Sequence, residues 1–190
     1  PSRVSERPAE SRRGIQAVHR LQVRRAELVA TEIERKFLVA NDAWRAAAGR
    51  GVRMVQGYFE SGICTAPPPT LRVRIAGERA FLTVKGRPSG VSRSEFEYEI
   101  PVADAEAMLL EFCGTRIVEK IRYTFPAGDG LFWEVDEYFK LNAGLFTAEI
   151  ELPAEETAFV RPDWLGAEVS GDPRYTNGAL SRNPYTLWRD

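Results

Sequence analysis

The sequence predicts a mainly β fold of the α+β class, in which antiparallel strands enclose a charged interior. Charged and apolar residues alternate with period two along most of the chain, which places them on opposite faces of successive strands. The charged faces consist almost wholly of Glu, Asp and Arg, whereas a solvated sheet face usually carries Thr, Ser, Lys and Gln as well. Three of the four lysines, Lys36, Lys85 and Lys120, lie on these charged faces, so lysine is not a general surface residue in this chain.

The first predicted strand, residues 32–39, carries the most specific pattern of the chain. Glu32, Glu34 and Lys36 occupy alternate positions, so their side chains share one face at a spacing of about 6.5 Å. Carboxylates bind hard divalent cations, and a neighbouring ammonium group binds phosphate oxygens. The strand therefore predicts a site for a metal ion and a phosphate group.

Six further segments repeat the alternation of charged and apolar residues. The predicted strands that follow are residues 71–75, 80–85, 93–100, 120–123, 133–136 and 148–152. Their number and length are typical of an antiparallel sheet with one apolar face.

Capping residues predict three helices that would cover the apolar face of the sheet. Asn41 and Asp42 predict a helix over residues 44–48, Asp104 predicts one over residues 105–113 that ends at Gly114, and Pro153 precedes a helical turn over residues 155–160. The apolar residues expected in the core are Leu109, Leu110, Phe112, Trp44 and Trp164.

The N-terminal segment differs in composition from the rest of the chain. Residues 1–31 hold seven arginines and three acids, a formal charge of +4, which leaves −5 for the other 159 residues. Such a basic, apolar-poor segment is typical of disorder. We predict a disordered tail over residues 1–30 and one functional domain over residues 31–190.

Deleting residues 1–30 is expected to leave the melting temperature and the specific activity almost unchanged, because the tail lacks the apolar periodicity of a packed element. Thermal denaturation and an activity assay of the truncated protein check this. A large loss of either quantity would show that the tail docks on the domain or covers the mouth of its site.

Several classes of chemistry are excluded from the domain by what the sequence lacks. The single histidine, His19, lies in the tail, which removes histidine-based catalysis from residues 31–190. There is no phosphate-binding loop of the Gly-x-x-x-x-Gly-Lys-Ser/Thr type. Two cysteines are too few for a zinc cluster, and no apolar run approaches the roughly 18 residues of a membrane span. We expect a cytoplasmic protein.

The order of these motifs resembles the CYTH, or triphosphate tunnel metalloenzyme, superfamily over roughly residues 31–185. The motifs that carry the resemblance are Glu32-Ile33-Glu34-Arg35-Lys36, Arg72-Val73-Arg74, Thr83-Val84-Lys85, Glu95-Phe96-Glu97, Lys120-Ile121-Arg122, Glu149-Ile150-Glu151 and the stretch from Glu168 to Asn177. The resemblance implies a closed antiparallel barrel of ~8 strands, with a charged tunnel inside and amphipathic helices packed outside.

The resemblance also implies the residues of the site. The implied metal ligands, for one or two Mg²⁺ or Mn²⁺ ions, are Glu32, Glu34, Asp136, Glu149 and Glu151. The implied phosphate-binding residues are Lys36, Arg72, Arg74, Lys85, Lys120, Arg122 and Arg174. Glu32, Glu34 and Lys36 are the implied catalytic set. The residues expected to orient cations or metal-bound water are Glu95, Glu97 and Glu134.

The activity that the resemblance implies is metal-dependent hydrolysis of a triphosphate, with inorganic tripolyphosphate as the expected substrate. A class IV-type adenylate cyclase, a thiamine triphosphatase and a non-catalytic sensor of polyphosphate or nucleotide remain alternatives, as does an open sheet that serves as a protein-interaction module. We expect a small-molecule triphosphate as partner, with neither a membrane nor a nucleic acid, and we leave a homodimer open.

Overall fold

A computed structural model describes residues 33–59, 69–86 and 94–188, and these residues form one β-rich unit with few helices. The strands are β1 (Ile33–Val39), β2 (Val52–Tyr58), β3 (Thr70–Ala76), β4 (Arg79–Lys85), β5 (Glu95–Ile100), β6 (Ile117–Gly128), β7 (Leu131–Tyr138), β8 (Phe146–Leu152) and β9 (Leu165–Glu168). The α-helices are α1 (Val102–Phe112) and α2 (Asn177–Leu180), and 3₁₀ helices span Asp42–Ala46, Lys140–Asn142, Pro173–Tyr175 and Tyr185–Leu187.

The nine strands form one antiparallel sheet in the order β5-β4-β3-β2-β6-β7-β8-β1-β9. The predicted mainly β, antiparallel architecture is confirmed, and each of the seven predicted strands corresponds to a strand of the sheet. Two strands, β2 and β9, had no counterpart in the prediction.

The sheet is not closed in the part of the chain that the structure describes, so the expected barrel of ~8 strands is not confirmed. Its two edges are β5 and β9, and no ladder joins them. Strand β9 has only four residues, and its ladder with β1 shifts register between Phe37 and Val39. A strand this short and irregular offers few backbone groups for a further partner strand.

The apolar face of β1, β6, β7 and β8 forms the largest core cluster, covered by the two tryptophans expected there. Trp44 is fully buried and Trp164 is 8% exposed. The indole of Trp164 meets that of Trp133 edge to face at 5.3 Å between ring centroids. Trp44 lies in the 3₁₀ helix Asp42–Ala46, which begins two residues before the predicted helix over residues 44–48. The predicted cap is confirmed, since the Asn41 side chain accepts a hydrogen bond from the Ala43 N–H at 3.0 Å.

Helix α1 covers the apolar face of β3 and β4 through residues spaced three and four apart. Ala105 is fully buried, and Met108 and Leu109 pack against the same cluster, as expected for one helical face. The prediction that Leu110 and Phe112 belong to the core is wrong. Their side chains are 84% and 51% exposed. Leu110 extends from the opposite side of the helix, whereas Phe112 lies on the packed side at the C-terminal end, where its ring stacks on that of Phe59 at 5.7 Å between centroids.

Gly57 explains how α1 approaches β2 so closely. A Cβ atom at this position would lie 2.5 Å from the Cys113 Sγ, which is closer than real contacts allow. Glycine inside a strand often marks such a close approach.

The helical turn predicted over residues 155–160 is wrong, since these residues form turns and irregular backbone. Among the described residues, no helix is long and apolar enough to cross a membrane.

The segment that follows β9 packs against the charged side of the sheet at one end. Leu180 of α2 is buried in a cluster with Tyr58, Val118, Tyr138 and Leu145. The Tyr138 hydroxyl donates to Asn177 Oδ1 at 3.1 Å. This segment therefore completes one wall around the charged face.

Candidate active site

A cavity of about 800 Å³ lies on the charged side of the sheet, between side chains of β1 to β8 and the segment that contains α2. Its acidic residues are Glu34, Glu95, Glu97, Glu134, Glu149 and Glu151. Its basic residues are Lys36, Arg72, Arg74, Lys85, Arg116, Lys120, Arg122 and Arg182. Side chains from so many strands line one cavity only because the sheet curls around it.

Lys36 and Glu149 form the centre of the first charged cluster. The ladder between β1 and β8 places these two residues opposite each other, and Lys36 Nζ lies 2.7 Å from Glu149 Oε1. Arg122 Nη2 binds the other oxygen of Glu149 at 2.8 Å. Burial works to raise the pKa of Glu149, but Lys36 and Arg122 outweigh it and leave this pKa lowered, so Glu149 is ionised.

Asp136 neutralises two cations from behind the cavity wall. Its carboxylate is fully buried, pairs with Lys120, and accepts from Arg122 Nε at 2.7 Å. Burial alone would raise the pKa of Asp136, yet the two cations lower it to about 2. Asp136 does not line the cavity. The structure thus favours a counter-ion role over the expected metal ligation, since both carboxylate oxygens are already occupied by cations.

Glu34 is a cavity carboxylate with a single, distant ion-pair partner among the described residues. Its side chain is 51% exposed, and it lies 3.6 Å from Lys36 Nζ. Burial and the nearby charge of Glu149 raise the pKa of Glu34. Burial, and after it the charge of Glu149, also raise the pKa of Glu134. The Glu134 carboxylate forms an ion pair with Arg122, which works to lower this pKa. The charge of Glu149 therefore disfavours ionisation of both Glu34 and Glu134.

A second charged cluster lies on β3, β4 and β5. Glu97 accepts from Arg72 and from Arg74, each at 3.0 Å. The Thr83 hydroxyl also donates to Glu97 at 2.7 Å. Burial opposes ionisation of Glu97, but these donors leave its pKa lowered. One ionised carboxylate therefore holds both arginines in place.

Lys85 and Glu95 extend the second cluster toward the β5 edge. Lys85 Nζ lies 2.5 Å from Glu95 Oε2, and Arg72 Nη2 lies 3.9 Å from Glu95 Oε1. The second cluster thus joins three cations to two carboxylates, and its net charge is positive.

Most of the predicted site residues line this one cavity. Those that do are Glu34, Lys36, Arg72, Arg74, Lys85, Glu95, Glu97, Lys120, Arg122, Glu134, Glu149 and Glu151. Glu32 lies outside the described residues. Arg174 does not line the cavity; its guanidinium pairs with Asp172 at 2.6 Å and is 63% exposed. The side chain of Arg174 is drawn to the nearest carboxylate, two residues away, so the structure does not support its expected role at the tunnel.

Other cavity residues had no counterpart in the prediction. Those with polar side chains are Gln56, Tyr58, Thr70, Arg116, Thr176, Asn177 and Arg182. Gln56 and Tyr58 occupy alternate positions of β2, which lacks the charge alternation that identified the other strands. Arg116 and Arg182 lie just outside regular elements, where no sequence periodicity exists to place them.

The donor set of the cavity fits a hard divalent cation. Strands β1 and β8 pair Glu34 with Glu151 and Lys36 with Glu149, which brings carboxylates to one end of the cavity. Among the described residues, no three His, Cys, Asp or Glu side chains converge into a complete metal site. Mg²⁺ typically binds one or two carboxylates together with substrate phosphates. The mutual repulsion of Glu34 and Glu149 is what such a cation would relieve.

Comparisons with known proteins agree with this geometry. Residues 30–176 match the CYTH domain. The chain is 46% identical over 159 residues to an inorganic triphosphatase of Acetivibrio thermocellus, covering 84% of this chain and 98% of that protein. It is 39% identical over 155 residues to an inorganic triphosphatase of Nitrosomonas europaea, covering 80% and 97%. A crystal structure of an inorganic triphosphatase superposes with a TM-score of 0.61 at 35% identity, covering 84% of this chain and 97% of that one.

Proposed function

The chain belongs to the CYTH domain family, and on that premise we propose that it is a metal-dependent hydrolase of triphosphates whose substrate is inorganic tripolyphosphate. The observation that carries the proposal is the cavity itself, which is lined by six carboxylates and eight lysines and arginines, with the carboxylates Glu34, Glu149 and Glu151 on the paired strands β1 and β8. Two relatives that match most of this chain are named inorganic triphosphatases.

The cations of the cavity would bind the phosphate oxygens. Arg72 and Arg74 are held by Glu97, so their guanidinium groups are already positioned before a ligand arrives. Such pre-organised donors stabilise charge that develops on phosphoryl oxygens in the transition state, because they need no reorganisation. Lys36, Lys85 and Arg122 add donors along the same cavity.

The carboxylates Glu34, Glu149 and Glu151 would hold the divalent cation, Mg²⁺ or Mn²⁺, with Glu32 as a further expected ligand. A bound cation of this kind neutralises phosphate oxygens and makes a bound water more acidic. Lys36 contacts both Glu34 and Glu149. We propose that it links the two ends of the site, orienting the carboxylates in the free protein and donating to a phosphate oxygen when substrate is bound.

The proposal includes a tunnel-like site even though β5 and β9 are not paired. Eight strands contribute to the lining, and the segment around Asn177 and Gly178 covers the charged side at one end. Enclosure of this kind excludes water and strengthens each electrostatic contact with the substrate. We further propose that residues 31–190 carry the activity and that the protein acts in the cytoplasm.

Binding of tripolyphosphate is expected to stabilise the folded protein strongly, because the ligand neutralises cations that lie close together in the cavity, such as Arg72 and Arg74. Ligand linkage gives about 2.7 kcal/mol at a hundredfold excess over the dissociation constant. Thermal denaturation with tripolyphosphate and Mg²⁺, compared with sulfate at matched ionic strength, measures this effect.

Arg74→Ala should reduce that stabilisation, because it removes a phosphate donor while leaving the cavity carboxylates in place. The matched control is Arg79→Ala, which also removes an arginine paired with a glutamate of β5, but one that is 64% exposed and outside the cavity lining. Equal stabilisation by sulfate, or an unchanged shift in Arg74→Ala, would contradict the proposed site. Cyclic AMP formed from ATP in a parallel assay would favour the cyclase alternative instead.

A further inference from the structure

Lys36 is held at its backbone by the segment that follows β9. In an antiparallel ladder, the N–H and the C=O of one residue point toward the same neighbouring strand. The Lys36 carbonyl accepts from the Val169 N–H at 2.8 Å, so the Lys36 N–H also points toward this segment. Strand β9 ends at Glu168, and the group that accepts from the Lys36 N–H is the Ser170 hydroxyl, at 2.9 Å. A serine side chain thus takes the place of a backbone carbonyl next to Lys36.

The Ser170 hydroxyl is oriented by an ion pair outside the cavity lining. Ser170 Oγ donates to Glu168 Oε1 at 2.9 Å, whereas its other acceptor, the Lys36 carbonyl, is 3.4 Å away. Arg35 Nε donates to the same Glu168 oxygen at 2.8 Å. This hydrogen bond lowers the pKa of Glu168, which keeps its carboxylate ionised. With its proton directed to Glu168, the hydroxyl turns a lone pair toward the Lys36 N–H.

The same segment contacts the opposite end of Lys36. The Tyr175 carbonyl accepts from Lys36 Nζ at 3.4 Å, and the next residues, Thr176 and Asn177, line the cavity. Lys36 Nζ also lies 2.7 Å from Glu149 Oε1. Residues 169–175 therefore contact the N–H, the carbonyl and the ammonium group of Lys36. A displacement of this segment would move the ammonium group relative to Glu149.

Lys36 depends on this segment more than the other two lysines of the described cavity do. Lys85 has a paired residue on each of two neighbouring strands, and so has Lys120. Lys36 has a paired residue on β8, whereas the ladder between β1 and β9 pairs Phe37 and Val39 but not Lys36. The Ser170 hydroxyl supplies the backbone contact that a regular ladder supplies to the other two lysines.

Building on the proposed function, in which Lys36 donates to a phosphate oxygen, we propose that Ser170 is a positioning residue for Lys36. Its hydroxyl fixes the Lys36 backbone and so sets where the Lys36 ammonium group meets the substrate. Ser170 is not among the residues that line the described cavity, so it acts through Lys36. A displacement of about 1 Å in a group that contacts the substrate costs about 100-fold in rate.

The kinetic test replaces Ser170 and measures hydrolysis of tripolyphosphate with Mg²⁺. Ser170→Ala is expected to lower kcat by about tenfold and to change KM by less than about twofold, because the other cavity cations still bind the substrate. Its melting temperature should stay close to the wild-type value, since Ser170 is exposed. Ser170→Thr keeps the hydroxyl and should recover most of the lost kcat.

The matched control for Ser170→Ala is Thr157→Ala. The Thr157 hydroxyl also accepts from a backbone N–H, that of Ala154 at 3.2 Å, and Thr157 is not among the residues that line the described cavity. This variant should keep the wild-type kcat, because it removes the same kind of hydrogen bond at a place without contact to Lys36.

Nuclear magnetic resonance of protein labelled at the lysine Cε atoms measures the placement of Lys36 without substrate. The chain has only four lysines, and Lys36→Arg identifies the signal of Lys36. Ser170→Ala should shift this signal and leave the signals of Lys85 and Lys120 in place. Thr157→Ala should leave all of them in place.

An unmoved Lys36 signal in Ser170→Ala, or a kcat equal to that of the wild-type protein, overturns the positioning role. Equal losses of kcat in Ser170→Ala and Ser170→Thr also overturn it, because the hydroxyl would then not be the group that matters. A lower melting temperature with unchanged kcat would show that Ser170 serves stability alone. Absence of tripolyphosphate hydrolysis by the wild-type protein with metal would contradict the proposed function, and the lysine signals would still decide whether Ser170 places Lys36.

Discussion

Asp136→Asn is expected to lower the free energy of unfolding by about 3–5 kcal/mol, the usual cost of removing one partner from a buried ion pair. Asp136 is fully buried and Lys120 is 2% exposed. Without the carboxylate, the buried Lys120 loses its ion-pair partner, and burial, which already lowers the pKa of Lys120, then disfavours its charged form further. Arg122 loses a partner at the same time. Urea denaturation of the two proteins measures the difference.

The matched control for this substitution is Asp42→Asn. Asp42 also pairs with an arginine, Arg45 at 3.1 Å, but its side chain is 78% exposed. Exposed pairs contribute about 0–1 kcal/mol, so this variant should be nearly as stable as the wild-type protein. Equal effects of the two substitutions would contradict the view that burial makes the Asp136 pair important.

The effect of Asp136→Asn should also depend on pH in a defined direction. The pKa of Asp136 is lowered from 3.8 to about 2 in the folded protein, so its carboxylate contributes stability above pH 3.8. That contribution is lost as the pH falls through 2, where the folded form also binds the proton. The stability difference between wild type and variant should therefore narrow between these two pH values. A constant difference would show that the effect is steric.

Glu34→Gln is expected to lower kcat/KM for tripolyphosphate by about 100-fold or more, since loss of groups that only support metal ligands already costs about 10- to 100-fold. The substitution keeps the shape of the side chain and removes its charge. Stability should change little or rise slightly at neutral pH, because burial and Glu149 raise the pKa of Glu34 and thus disfavour its ionised form in the fold. Phosphate release and thermal denaturation measure the two effects separately.

Glu99→Gln is the matched control for Glu34→Gln. Its side chain is 54% exposed, compared with 51% for Glu34, and it also has a basic partner, Arg79. It does not line the cavity. Activity close to that of the wild-type protein is expected for Glu99→Gln. If both variants retained full activity at saturating metal, β1 would have no role in binding a cation.

The sheet could be predicted from the sequence wherever its strands alternate charged with apolar residues. Strand β2 was not predicted because the side chains that it directs into the cavity, Gln56 and Tyr58, are neutral. The strand therefore shows no alternation of charged and apolar residues. Strand β9 is only four residues long, too short for a period of two to stand out. The sequence could not show which face of helix α1 packs against the sheet. The prediction that Leu110 lies in the core is wrong for this reason, since its side chain is 84% exposed.

The charged residues of the cavity were largely identified in advance, but their partners were not. Lys36 and Glu149 are brought together by the ladder between β1 and β8, and no local pattern encodes the register of strands so distant in the chain. For the same reason the sequence could not distinguish Asp136, which lies behind Lys120 and Arg122, from the carboxylates that face the cavity.

The most direct test of the proposed function is phosphate release from inorganic tripolyphosphate by the purified protein, measured with Mg²⁺ or Mn²⁺ and with a chelator. ATP and thiamine triphosphate serve as competing substrates in the same assay. We predict metal-dependent release from tripolyphosphate with the highest kcat/KM of the three, and its loss in the chelator. No release from tripolyphosphate with either metal, from protein that is folded by thermal denaturation, would contradict the assignment.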